Sequence, residues 1–111
     1  MDKKDFAGIA AATTEPYLNT LLTSVNDHVV RMSVMTTPYP WHSHPNSDET
    51  FIGVEGVVII ETNEGVFELT PGSSLTIPRD MPHRTRPKGT RSVNLTVERA
   101  NIKTAFVKSN E

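Results

Sequence analysis

The stretch HSHPNSDE, residues 42–49, combines two histidines and a carboxylate around a turn. Successive side chains of a β-strand point to opposite faces, so His42 and His44 share one face. Glu49 stands at an odd spacing from His44 and returns to that face only if the chain reverses between them. Residues 45–48 have the proline and the short polar side chains that such a reversal needs. The stretch therefore predicts a hairpin on which three potential ligands converge.

These side chains are suited to one mononuclear metal site. Neutral imidazoles and a carboxylate suit first-row divalent metals, and two histidines with one carboxylate and open positions are typical of non-haem iron(II) sites. His83, further along the chain, is a candidate fourth ligand that broadens the choice of metal. His42, His44, Glu49 and His83 thus predict one divalent ion per chain, with Fe, Mn, Ni, Co and Zn all open.

The surrounding residues resemble the two sequence motifs of the cupin superfamily. The first motif is His42-x-His44, four residues, Glu49, six residues and Gly56; the second is Gly72, five residues, Pro78 and then His83 at the family's spacing. The short gap between the motifs is that of small single-domain members. The resemblance implies an all-β fold, a double-stranded β-helix or jelly-roll barrel, with the metal site in its interior.

Two positions depart from the cupin pattern. Asp80 stands where glycine is usual, and Pro87 stands where asparagine is usual. Aspartate adopts the left-handed backbone conformation more readily than most residues, so Asp80 fits a turn, whereas Pro87 is expected to alter the strand end beside the pocket. Neither residue is a ligand. One alternative stays open, namely a barrel of this kind whose site is degenerate, empty or merely polar.

Length and composition predict one compact domain. The chain has 111 residues, of which 36% are hydrophobic and 22% charged, and we expect an N-terminal arm over residues 1–16 and a single barrel over 17–111. No apolar stretch approaches the roughly 18 residues that a membrane span needs. Residues 6–12 resemble a secretion signal only superficially, because the run is short and follows acids. The lack of cysteine is compatible with the cytoplasm, where we expect the protein to be.

Alternating apolar and polar residues, with turn signals every 8 to 12 positions, predict strands throughout the barrel. Residues 5–12 offer a short helical turn that Gly8 weakens, so we expect a mobile or partner-docked arm. The expected strands are 17–25, 29–36, 40–44, 49–54, 56–62, 65–70, 74–78, 82–86, 91–98 and 102–107.

The same alternation predicts part of the pocket and a dimer. If Glu49 faces inward, Phe51 and Gly53 line the pocket beside it. Gly53 either leaves space for a ligand or marks a bulge or a close strand crossing. Ile52 and Val54 then face outward, where two large apolar side chains favour cover by a second subunit. We therefore expect a homodimer.

Three further residues are candidates for the pocket. Trp41 either gates the pocket or fills the barrel wall, and Arg31 faces either water or a polar cavity. Tyr39, between two prolines, is expected to present its hydroxyl at the entrance. Together with Glu49 it is a candidate catalytic group, since no separate nucleophile has a base at a recognisable spacing.

Charge is unevenly distributed around the second motif. Basic residues at 79, 84, 86, 88 and 91 follow a stretch in which all charged side chains are acidic. They either steer an anionic ligand to the barrel or, as the strand alternation favours for Arg84 and Arg86, lie outside and pair with acidic strands of a second subunit. A near-neutral chain without an extended basic face does not favour nucleic acid as a partner.

Two function classes are consistent with these features. The first is a small metal-dependent enzyme that acts on a polar small molecule, with dioxygenase-like or isomerase-like chemistry leading. The second is a non-catalytic module that binds a small molecule or regulates. The fold by itself does not choose between them.

Overall fold

Ten strands and one short helix make up the chain. The computed structural model describes residues 1–107; residues 108–111, which the predicted barrel domain included, lie outside the described part. The elements are α1 (Phe6–Ala12), β1 (Tyr17–Val25), β2 (His28–Met35), β3 (Tyr39–Ser43), β4 (Glu49–Glu55), β5 (Val58–Thr62), β6 (Gly65–Leu69), β7 (Ser74–Ile77), β8 (His83–Pro87), β9 (Ser92–Arg99) and β10 (Ala105–Phe106).

The strands form two five-stranded antiparallel sheets. The first has the order β1-β2-β9-β4-β7 and the second the order β10-β3-β8-β5-β6. Successive elements such as β2 and β3 lie in different sheets, so the connections repeatedly cross from one sheet to the other. The prediction of an all-β, two-sheet fold is confirmed.

The chain reverses between residues 42 and 49 as predicted, but the two flanking strands do not form the predicted hairpin. β3 pairs with β8 and β10, and β4 pairs with β7 and β9, so β3 and β4 are not hydrogen-bonded neighbours. The turn between them carries the chain from the second sheet to the first. The histidines and Glu49 meet because the two sheets face each other, and not because they share the face of one sheet.

The last strand is shorter than predicted. Only Ala105–Phe106 pairs with β3, whereas the alternation predicted a strand over 102–107. Asn46 explains the difference, because its side-chain amide donates to Asn101 O and its Oδ1 accepts from Lys103 N, at 3.0 and 2.8 Å. These bonds hold residues 101–103 as a loop against the turn that precedes β4.

The N-terminal helix packs on the outer face of the first sheet. Asp5 caps it by accepting a hydrogen bond from Gly8 N at 3.1 Å, and Arg91 donates to the carbonyl of Ala10. Ala10 is buried in a cluster with Leu22, Met32, Val34 and Val93. The predicted mobile or partner-docked arm is therefore docked on its own barrel. Within residues 1–107 no helix is long and apolar enough to cross a membrane.

The residues predicted to need cover by a second subunit are half-buried. Val54 packs against the outer cluster that Ala10 completes, and Ile52 is also only partly exposed. Part of the cover that the sequence assigned to another subunit is therefore supplied by the chain's own helix.

The two departures from the cupin pattern fit the backbone. Asp80 has φ of 67°, so it occupies the left-handed conformation that glycine usually supplies. Pro87 is the last residue of β8 and faces Val58 on β5. Its missing N–H falls at the strand end, where the loss of one ladder donor is tolerated.

Candidate metal centre

Four buried side chains from both sheets converge in the interior. His42 lies in β3 and His44 follows its end, Glu49 begins β4, and His83 begins β8. His42 and His83 are register partners on adjacent strands. One ligand atom from each of the four residues lies within 4.8 Å of the others, and all four residues are buried. The structure thus brings together the complete ligand set predicted from the sequence.

The backbone fixes the tautomer of all three imidazoles. Their Nδ1 atoms lie 2.8 Å from Pro40 O, 2.9 Å from Lys103 O and 2.9 Å from Met81 O, for His42, His44 and His83 respectively. A carbonyl oxygen only accepts, so each Nδ1 carries a proton. In the neutral rings each Nε2 therefore presents a lone pair. Hydrogen bonds of this kind from Nδ1 to a carbonyl orient metal-binding histidines in proteins.

Glu49 completes a donor set that requires a cation or a proton. Its Oε1 lies 3.3 Å from His44 Nε2 and 3.2 Å from His83 Nε2. His44 Nε2 is buried and has no hydrogen-bond partner in the described chain. A carboxylate facing two nitrogen lone pairs is repelled unless positive charge lies between them. The residues present therefore fit a divalent ion.

Burial and mutual charge set the protonation of these groups. Burial is the main cause that lowers the pKa of His42 to about 4, so its ring is neutral at pH 7. Burial also opposes charge on His44, but the Glu49 carboxylate outweighs it and raises the pKa of His44. Burial likewise opposes the charge of Glu49, yet the two neighbouring imidazoles hold its pKa well below the usual range. The Glu49 carboxyl group is thus ionised at neutral pH.

A second buried carboxyl group lies beside Glu49. Thr50 and Val97 are register partners on β4 and β9, which places Glu98 next to Glu49 on the inner face of the first sheet. Glu98 is 5% exposed. Burial, together with interaction with Glu49, raises the pKa of Glu98 to about 7. The two carboxyl groups are therefore held in different protonation states, as in acid and base pairs of enzymes.

The donors open into a cavity of about 380 Å³. Tyr39 forms part of its wall, with its ring edge-on to His42 at a centroid distance of 4.8 Å, and Tyr17 stacks on Tyr39 at 5.2 Å. Burial raises the pKa of both tyrosines, so both hydroxyls stay protonated and can donate. Besides the metal donors His42, His44 and Glu49, the cavity is lined by Tyr17, Asn19, Arg31, Ser33, Met35, Tyr39, Phe51, Thr85, Thr96, Glu98, Ile102 and Thr104.

Three of the predicted pocket residues line this cavity, and two do not. Tyr39, Phe51 and Arg31 are part of the wall. Trp41 lies on the outer face of the second sheet, where the Arg84 guanidinium sits 4.9 Å from its ring centroid. Because strand neighbours alternate in direction, the inward position of His42 sends Trp41 outward.

Gly53 serves a close backbone approach and leaves no space for a ligand. A Cβ at this position would lie 2.2 Å from Thr70 O. Gly53 N donates to Ser73 O at 2.9 Å, and Gly72 N donates to Gly53 O at 3.0 Å. Of the two alternatives considered for Gly53, the structure supports the close approach of another chain segment.

The basic residues of the second motif lie outside the cavity. Arg84 and Arg86 both bind Glu61 on the neighbouring strand β5. Arg91 binds Glu55 at 3.1 Å, so this cluster finds its acidic partners within the same chain. A second subunit is therefore not required to supply acidic partners for these three arginines.

Sequence reasoning missed the parts of the polar wall that β1 and β9 contribute. Asn19, Thr96 and Glu98 all face the cavity. The available signal was the alternation in residues 92–98, where polar and apolar side chains exchange at every step. That pattern usually means a solvent-facing polar side, whereas here the polar side is the interior.

Comparison with known proteins gives the following relatives. The model of the cupin domain family matches residues 28–97. The YdbB protein of Bacillus subtilis (strain 168) is 39% identical over 105 residues, which cover 94% of this chain and 92% of YdbB. A cupin-2 domain containing protein from Shewanella frigidimarina NCIMB 400 has a TM-score of 0.79 at 21% identity, covering 86% of this chain and 93% of that one. The DMSP lyase DddQ from Ruegeria pomeroyi DSS-3 has a TM-score of 0.75 at 18% identity, covering 86% of this chain and 54% of the lyase.

Proposed function

This chain belongs to the cupin domain family, and we propose that it is a metal-dependent enzyme acting on a polar small molecule. The ion would be held by His42, His44, Glu49 and His83. The observation that carries the proposal is the orientation of the three imidazoles, each locked by a backbone carbonyl so that its Nε2 lone pair is available to an ion. A bound divalent ion supplies Lewis acidity and open positions for a chelating ligand.

Residues around the donors supply the other functions that an active site needs. Glu98 holds a proton near neutral pH and lies in the cavity wall, so it is suited to proton transfer. Tyr39 places a protonated phenol in the same wall, beside His42. Phe51 and Met35 provide apolar surface in the same cavity. We assign the proton-transfer role to Glu98 and a hydrogen-bonding role to Tyr39.

Solved structures with this fold include proteins named for two chemistries. One is the DMSP lyase DddQ already described; another is a sugar phosphate isomerase, SPO2919 from Silicibacter pomeroyi, with a TM-score of 0.65 at 16% identity. Lyase and isomerase reactions are both compatible with proton transfer beside a metal. We therefore favour lyase-like or isomerase-like chemistry for this chain over the dioxygenase-like chemistry also expected from the sequence. At these identities the choice rests on Glu98, a second carboxyl group beside the candidate metal donors whose raised pKa suits it to proton transfer.

Metal analysis tests the proposal. Purified protein is expected to contain about one equivalent of a first-row divalent metal per chain, since a single set of four donors is present in the described chain. His44→Ala and Glu49→Ala should weaken metal affinity by at least about 100-fold, because they remove ligands outright. The measurement is elemental analysis after dialysis against a chelator, with circular dichroism to verify the fold.

His28→Ala is the matched control. His28 lies at the start of β2 beside Asp27, removed from the donor set, so metal content should be unchanged. Retention of full metal by both ligand variants would overturn the assignment of the ion to this site.

A non-catalytic binding module is the second candidate function. The cavity and its polar wall support it equally well. Metal-loaded protein assayed with small organic acids, diketones and sugar phosphates separates the two. Turnover that is lost in Glu98→Gln while metal content is retained supports the enzyme. Saturable thermal stabilisation by a ligand without turnover supports the module.

We also propose that two chains associate as a homodimer. The outer face of the first sheet carries Leu18, Val30 and Leu95, which remain only partly buried after α1 has packed on it. Val25 on the edge strand β1 is 58% exposed. A second copy would cover this apolar surface. Light scattering coupled to size exclusion is expected to give twice the mass of the chain, and a monomer at micromolar concentration would contradict this proposal.

A further inference from the structure

Arg31 introduces a positive charge into the cavity wall. It lies on the inner face of β2, where Thr96 is its register partner, and Phe51 is in turn the partner of Thr96. Of the cavity-lining residues it alone carries a permanent positive charge. Arg31 is only partly exposed, so a partner of opposite charge stabilises its guanidinium more than it would at the open surface.

The partners of Arg31 within the described chain leave most of its hydrogen-bond donors unused. Its Nη1 donates to Asn19 Oδ1 at 3.4 Å, and its Nε lies 4.0 Å from Glu98 Oε2, at the limit of an ion pair. A guanidinium has five N–H donors arranged to bind a carboxylate with two parallel bonds. The side chain is 33% exposed, so a ligand in the cavity can reach these donors.

Two neighbours of Arg31 extend the patch. Asn19 Nδ2 donates to Ser33 Oγ at 3.0 Å, so the Ser33 hydroxyl accepts one bond and keeps its own hydrogen to donate. Ser33 is 7% exposed and faces the same cavity. Arg31 and Ser33 therefore present unused donors on one wall, and Asn19 holds them in place.

The charge of the cavity favours an anion even in the least favourable protonation state. With a divalent ion bound and both Glu49 and Glu98 ionised, the charge of the ion and of Arg31 exceeds that of the carboxylates by one unit. Protonation of Glu98 increases the excess. A cavity with a net positive charge and low-dielectric walls concentrates anionic ligands.

We propose that Arg31, with Ser33, is the carboxylate-binding subsite of this pocket, and that the ligand is an organic acid with a carboxylate at one end and a metal-binding oxygen group at the other. This inference rests on the proposed function, because the second end of the ligand needs the ion. The cavity of about 380 Å³ has room for an acid of a few carbon atoms, and such sites typically bury most of a small ligand. Arg31 acts here as a specificity-determining residue.

Paired ligands that differ in one charge test the subsite. Succinate and monomethyl succinate are titrated by calorimetry into metal-loaded wild-type protein, Arg31→Gln and Arg31→Lys. Wild type is expected to bind succinate about 10- to 100-fold more tightly than the ester, because a charge-assisted bidentate contact contributes binding energy of that order. Arg31→Gln should bind the two probes equally, and Arg31→Lys should keep part of the preference because it keeps the charge but loses the planar fork.

Arg84→Gln is the matched control, since it removes an arginine from the outer face and should leave the succinate preference intact. Ser33→Ala probes the same subsite if Arg31→Gln does not fold, and it should reduce the preference severalfold. Metal content is measured for every variant. A metal-free wild type would remove the proposed function, whereas metal-loaded wild type that binds both probes equally, or an Arg31→Gln variant that keeps the preference, would overturn the Arg31 subsite alone.

Discussion

The interior of the barrel is divided into two regions of opposite character. One region, the apolar half, is a continuous hydrocarbon core with Leu75 and Met81 at its margin. The other, the polar half, holds the metal donors, the second carboxyl and the polar wall. The apolar half consists of Phe51, Val58, Ile60, Leu69 and Ile77; the polar half consists of Arg31, Ser33, His42, His44, Glu49, His83, Ser92, Asn94, Thr96 and Glu98.

The border between the halves runs through Phe51 and His83. Their ring centroids are 6.0 Å apart in an edge-on arrangement, and His83 is fully buried. A metal donor is therefore positioned by the hydrocarbon core on one side and by the Met81 carbonyl on its other nitrogen. The apolar half is therefore the main source of folding stability and the polar half holds the candidate site, since burial of apolar surface stabilises and burial of polar groups does not unless they are paired.

The largest effect on stability is expected in the apolar half. Ile60 is fully buried in β5, so Ile60→Ala should lower the free energy of unfolding by about 2 to 5 kcal/mol, from lost burial and the cavity left behind. Urea denaturation measures the loss. The folded fraction should keep its metal affinity, because no donor is touched.

Val66→Ala on the adjacent strand β6 is the control for this substitution. Val66 is 63% exposed, and its truncation should change stability by no more than about 0.5 kcal/mol. An Ile60→Ala variant that folds as stably as wild type but loses its metal would show that the two halves are not separate.

Local sequence pattern was sufficient to predict the four candidate metal donors that the structure brings together. The spacings around His42, His44 and Glu49 define turn and strand positions within a few residues, and His83 follows from the second motif. The way in which the strands bring these residues together was not predictable from the local pattern. Whether two successive strands pair or cross to facing sheets depends on contacts with strands far along the chain, as β9 shows by separating β2 from β4.

Glu98, which sequence reasoning missed, and Arg31, which it left between water and a polar cavity, share this dependence on distant partners. Glu98 and Arg31 lie more than 60 positions apart, and only the pairing of β2 with β9 places them together. Their strands alternate correctly in the sequence, but alternation does not say which side is the interior. The stability of helix α1 was underestimated for a similar reason. The helix is held by the packing of Ala10 against side chains of β1, β2 and β9, and its intrinsic helix propensity does not reveal this packing.

A smaller effect, dependent on pH, is expected from Glu98. Burial and the neighbouring Glu49 raise the pKa of Glu98 to about 7 from a usual value of 4.5. Between those two values the folded state holds a proton that the unfolded state has released, so this group's contribution to stability is lost as pH rises. Glu98→Gln carries no such proton, and in metal-free protein its stability should rise relative to wild type by about 1 to 3 kcal/mol between pH 4.5 and 7.5.

Denaturant titrations of both proteins at several pH values, with a chelator present, measure this difference. Glu64→Gln in the exposed turn between β5 and β6 controls for the loss of one carboxylate, and its offset from wild type should stay within about 0.5 kcal/mol throughout. A constant offset for Glu98→Gln across the whole pH range would mean that its carboxyl group is not held protonated by its surroundings.

The smallest effect compares two buried serines and differs in sign between them. Ser92 is fully buried in the polar half, and its Oγ has no hydrogen-bond partner in the described chain. Removing an unpaired buried hydroxyl relieves a desolvation penalty, so Ser92→Ala should raise the free energy of unfolding by about 0.5 to 1 kcal/mol.

Ser47 is equally buried, but its hydroxyl donates to Asp48 O at 2.7 Å and accepts from Arg99 N at 3.1 Å. Ser47→Ala should therefore lower stability by about 1 kcal/mol. Thermal and urea unfolding of the two variants give the signs, and a loss at both positions would show that the Ser92 hydroxyl is paired in solution.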